Sequence, residues 1–124
     1  MRLSRQRFER LVVEALDSIP PAIARRLVNV EVVVEAEPTR AQLREMDVPG
    51  GETLLGLYQG VPLTERTSHY GLVLPDKITI FQRPIEELCD SEDEVRAEVA
   101  HTVVHEFAHF FGIGDDQLRQ MGAY

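Results

Sequence analysis

Two histidines separated by three residues, with a glutamate directly after the first, form the most chemically loaded group in this chain: His105-Glu106-Phe107-Ala108-His109. On an α-helix of 3.6 residues per turn, His105 and His109 stand one turn apart on one face, so both imidazoles can reach a single metal ion. Glu106 projects about 100° to one side, where a carboxylate can take a proton from a water activated by that ion. His-Glu-x-x-His is therefore the pattern of a zinc-dependent hydrolytic site, with one Zn²⁺ per chain and Glu106 as general base. The plainer reading, two surface histidines on an amphipathic helix, makes no use of the glutamate between them.

The residues after the motif sharpen this expectation. Gly112 is placed to end the helix, because glycine takes the left-handed conformation without a Cβ penalty and turns the backbone sharply. Asp115 then falls six residues past His109, where the longer HExxHxxGxxH pattern carries its third ligand. Catalytic zinc takes three protein ligands and keeps one position open, and a carboxylate oxygen is an acceptable donor. No Glu follows Glu106, which excludes a glutamate ligand from a later helix. The candidates for the third ligand, in order, are Asp115, Asp116 and a residue brought from elsewhere such as His69. His101, Glu98 and Glu94 extend the same face towards the N-terminus, but His101 is about 12 Å along the axis from His109 and reads as solvent-facing or as a partner to the ligands.

These groups need a helix to carry them, and the sequence supplies one. Ser91 with Glu94 forms a capping box, while Glu92 and Asp93 complement the positive helix end. Val95, Val99, Val103, Phe107 and Phe110 then fall on one side, opposite the histidines. Upstream, Phe8, Leu11, Val12, Ala15 and Leu16 predict a core-packing helix from about Ser4 to Ser18, ended by Pro20-Pro21. A short helix through Ala22–Leu27 follows, then a strand with Val30, Val32 and Val34 on its buried face. Thr39 is placed to cap a brief helix through Met46. Leu54–Gln59 and Lys77–Gln82 read as further strands joined by a loop from Pro62 to Pro75, with a short turn at Pro84–Leu88. That loop carries Arg66, His69 and Tyr70, any of which could border a cleft.

The 124 residues fit a single domain, 1–124, with 44% hydrophobic and 27% charged residues and no internal repeat. A formal net charge of -8 disfavours a nucleic-acid partner. Arg2, Arg5, Arg7 and Arg10 gather near the start, spaced as the solvated face of a helix. The lone Cys89 reads as a small buried apolar residue. No apolar run approaches the roughly 18 residues of a membrane span, so no membrane partner and a cytoplasmic location are expected.

Beyond the HExxH segment, the stretches Leu54-Leu55-Gly56-Leu57-Tyr58-Gln59-Gly60-Val61-Pro62-Leu63-Thr64-Glu65-Arg66 and Leu74-Pro75-Asp76-Lys77-Ile78-Thr79-Ile80 are more particular. With them the chain resembles a family of small bacterial zincin-like metallopeptidases over nearly its whole length. The resemblance implies an α+β, zincin-like fold in which a small twisted sheet packs on the N-terminal helix and the long HExxH helix. It implies peptide-bond hydrolysis, with peptide or unfolded-protein substrates, His105 and His109 as zinc ligands, Glu106 as base and Asp115 as third ligand. The rivals are a zincin-fold binding module without activity and a metal-dependent endoribonuclease. The acidic charge and the presence of Glu106 count against the nuclease.

Overall fold

The computed structural model describes residues 1–60 and 74–123, and its architecture is α+β: a small mixed sheet of three strands covered by helices. Helix α1 spans Arg5–Asp17 and starts where the Ser4 hydroxyl accepts the Arg7 N–H at 3.0 Å. A turn of helix, α2 (Pro21–Ala24), and a 3₁₀ turn (Arg25–Leu27) lead into β1 (Val30–Glu35). Thr39 and Gln42 then form a reciprocal capping box that opens α3 (Arg40–Glu45). Strands β2 (Gly56–Gln59) and β3 (Asp76–Phe81) follow, and β3 passes directly into α4 (Gln82–Glu87). The HExxH helix, α5 (Glu92–Phe111), and a short α6 (Asp115–Gln120) complete the chain.

The sheet order is β1-β3-β2, with β1 parallel and β2 antiparallel to β3. Strand β3 is central, which its composition allows: Ile78, Thr79, Ile80 and Phe81 are fully buried. Strand β2 is an edge, and α5 lies against it. Between α1 and α5 the core is made by Phe8, Leu11 and Ala15 from one helix and Val95, Val99 and Val103 from the other. Each such side chain stabilises by about 1.5–3 kcal/mol on burial, so α5 is held by its apolar back while its polar front stays free. A Phe107→Ala change at the end of that row removes a fully buried ring and should cost about 3–5 kcal/mol.

Several sequence expectations shift. The turn expected at Pro84–Leu88 is helix α4, starting two residues earlier than the proline. That geometry suits proline, which is tolerated in the first turn of a helix. The valines of β1 are only partly buried, because β1 is itself an edge strand. Phe110 and Phe111 do not continue the core row and are 48% and 44% exposed. The fully buried row of α5 ends at Phe107, and the next two aromatic rings lie at the rim of the core, Phe110 stacked on the buried Tyr58 at 4.1 Å between centroids. The N-terminal arginines are not simply a solvated face either. Arg7 makes a two-pronged pair with Glu92 at 2.8 and 2.5 Å, and Arg5 bonds Gln82 Oε1 and the Val34 carbonyl. These bonds tie α1 to the start of α5, to α4 and to β1. The loop carrying Arg66, His69 and Tyr70 lies outside the described residues.

Candidate metal centre

Helix α5 places the motif as its spacing requires. The Ser91 hydroxyl accepts the Glu94 N–H at 3.1 Å, and the Glu94 carboxylate in turn accepts the Asp90 N–H at 2.9 Å, fixing the helix start. Gly112 closes it at φ +67°, a left-handed conformation in which its own N–H and that of Ile113 return to carbonyls of the last turn. His101, His105 and His109 form a ladder of exposed rings, 6.0 Å and 6.3 Å apart between successive centroids. The His105–His109 pair thus occupies one face, with the two ring planes inclined at 34°.

Glu106 sits on the flank of that ladder and turns inward, half-buried beneath β2. Phe81 donates its N–H to the Leu55 carbonyl at 3.0 Å, so alternation along the antiparallel ladder makes Leu57 the next residue bonded to β3. Gly56 and Tyr58 direct their backbone groups away from β3, on the side where Glu106 lies. Burial pushes the Glu106 carboxyl above its ordinary value, an effect only partly offset by the His105 and His109 imidazoles and by the Tyr58 backbone. A carboxyl raised above its ordinary value by burial in a cleft is suited to acid–base work.

The close approach of strand to helix depends on two glycines. A Cβ on Gly56 would lie 2.6 Å from Thr102 Cγ2 and 3.2 Å from the Thr79 carbonyl; one on Gly60 would lie 2.6 Å from the Phe110 ring. Together, Leu54, Leu55 and Gly56 on one wall and His101, His105 and Glu106 on the other enclose a cleft of about 270 Å³.

Asp115 stands in the first turn of α6, past the Gly112 turn, and is exposed. Asp116 beside it is engaged by Arg119 at 3.0 Å. Among the described residues no three His, Cys, Asp or Glu side chains converge on one point. The donor chemistry of His105 and His109 fits zinc, and their shared face brings two imidazoles together; the third donor is not drawn in beside them. His69 and Arg66 lie outside the described residues. The part played by Gly56, which lets β2 come close to Thr102 and Glu106, is not legible from the motif, because it depends on an absent side chain on a distant strand.

Comparison with known proteins agrees with this architecture. A family model described as zincin-like metallopeptidase matches residues 27–123. The chain belongs to that family. A solved structure, a conserved hypothetical protein from Thermo thermophilus, is similar with a TM-score of 0.54 and 26% sequence identity, over 88% of this chain and 94% of that one. No curated protein matches the chain. Among the described residues of this zincin-like chain, no helix is long and apolar enough to cross a membrane.

Proposed function

We propose that this zincin-like protein is a zinc-dependent peptidase that hydrolyses peptide bonds in short or unfolded chains, with one Zn²⁺ held by His105, His109 and Asp115. When bound there, zinc would lower the pKa of a water far below its bulk value, to about 7, and polarise a carbonyl. The observation that carries the reading is the placement of Glu106, half-buried on the cleft beside the exposed histidine pair, with its carboxyl raised above the ordinary value by burial. Its carboxylate accepts a proton from the attacking water and returns it to the leaving amine. The cleft wall from Thr53 to Gly56 is a chain segment leading into an edge strand, a surface along which an extended peptide can lie. Asp115 is the better third ligand because Asp116 is already engaged by Arg119.

The test is Glu106→Gln assayed on short unstructured peptides alongside metal content. Zinc should stay near one per chain while hydrolysis falls about 10²–10⁴-fold or more, the usual contribution of a general base. Equal cleavage by the variant would assign the activity to another site or a contaminant. Failure of zinc-loaded wild type to cleave any peptide would favour a binding module built on the same fold.

A further inference from the structure

One turn before the HExxH motif, the same helix face carries a second donor pair that the hydrolytic reading leaves unused. Glu98 and His101 are three residues apart, the spacing by which a helix presents a carboxylate and an imidazole to one metal in carboxylate-bridged bundle proteins. The Glu98 Oε1 and His101 Nδ1 atoms lie 3.9 Å apart, and both side chains line the cleft of about 270 Å³ beside His105 and Glu106. Among the described residues lining it there is no Lys or Arg, and Glu98 gives it a carboxylate beside the imidazole.

From this juxtaposition we infer that Glu98 and His101 form a second, weaker site for a divalent transition-metal ion, one turn along α5 from the His105–His109 pair. An imidazole nitrogen beside a carboxylate selects a borderline ion such as Zn²⁺ or Co²⁺ over Ca²⁺ or Mg²⁺, which prefer all-oxygen sites. With two protein donors the remaining positions are filled by water, which keeps the site weaker than a three-ligand centre. The ring of His101 is more than half exposed, so an ion reaches it without rearrangement of the core.

The experiment titrates metal-free protein with Co²⁺, followed by visible absorption, and with Zn²⁺, followed by calorimetry, for wild type, His109→Ala, His101→Gln and Glu98→Gln. Wild type should show two binding events. His101→Gln and Glu98→Gln should each weaken the second event about tenfold or more while leaving the first in place, and His109→Ala should remove the first while leaving the second. Circular dichroism checks that each variant keeps its helices, as expected for side chains at the helix surface. A single event in wild type that His109→Ala removes, or a second event unchanged in both His101→Gln and Glu98→Gln, overturns the proposal. A wild-type event that His101→Gln and Glu98→Gln weaken but His109→Ala leaves untouched, with no other event present, would instead count against the peptidase reading and leave the Glu98–His101 site standing as the sole one.

Discussion

Glu106 and the two aspartates near the C-terminus show how far one side chain's neighbours decide its use. Asp115 and Asp116 are adjacent and chemically identical, yet Asp116 is bonded to Arg119 and Asp115 is exposed at the head of α6. Asp115→Ala should therefore weaken zinc binding at least about tenfold, the factor that about 1.4 kcal/mol represents, with Asp116→Ala close to wild type. Equilibrium dialysis with Zn²⁺ measures both, and the reverse order would move the ligand by one residue. A second carboxylate works structurally. Glu86 is buried in α4; burial alone raises its pKa, but the Gln82 amide, the Arg83 guanidinium and the Leu3 N–H outweigh this and bring it below the ordinary value. A carboxyl with a lowered folded-state pKa contributes stability that is complete above its unfolded value of about 4.3 and is lost as the pH falls through the folded value. Urea midpoints for wild type should thus drop between neutral pH and pH values below about 4, and Glu86→Gln should show a shallower drop from a lower starting point. Parallel pH profiles would show that Glu86 is not the group responsible.

At the level of elements, the site depends on β2 and α5 touching at a glycine. Gly56→Ala places a methyl group 2.6 Å from Thr102 Cγ2 and 3.2 Å from a β3 carbonyl, so strand and helix must part. Overpacking of this kind costs about 1–3 kcal/mol. It should also displace Glu106, whose Cγ lies 3.5 Å from the added methyl, and so lower the proposed peptidase activity more than the stability loss explains. Thr102→Ser removes Cγ2 and should recover part of both losses in the double variant; a double variant as impaired as Gly56→Ala would place the strain elsewhere. This contact also marks the limit of what the sequence made legible. Helix α5, its Ser91 cap and its Gly112 stop follow from local rules, as do the apolar rows at Val95, Val99 and Val103. The approach of Glu106 to Gly56 joins residues 50 positions apart through a backbone with no side chain, so side-chain patterns do not encode it. Phe110 and Phe111 kept the helical period of the core and still lie at its rim, because period fixes a face of the helix and not how far the neighbouring layer extends.

For the whole molecule, the question is how metal binding couples to a fold that is already complete without it. The core between α1, the sheet and α5 uses none of the candidate ligands: His105, His109 and Asp115 are all exposed, and Arg7, Arg5 and Glu86 tie the elements together at other points. The protein should therefore fold without zinc, unlike small domains whose core is organised by the ion. Zinc should add stability by mass action, about 2.7 kcal/mol at a free concentration 100 times Kd, and bringing Asp115 to the histidine pair ties α6 to α5. For a domain of this size that corresponds to a rise in Tm of roughly 5–15 °C. The increase should vanish in His105→Ala, whose metal-free Tm should match that of metal-free wild type, because the exposed ring contributes little to packing. Calorimetric scans with zinc and with a chelator decide the matter. A metal-free wild type that fails to unfold cooperatively would make zinc part of the fold, and an equal rise in wild type and His105→Ala would place the stabilising ion away from the HExxH helix.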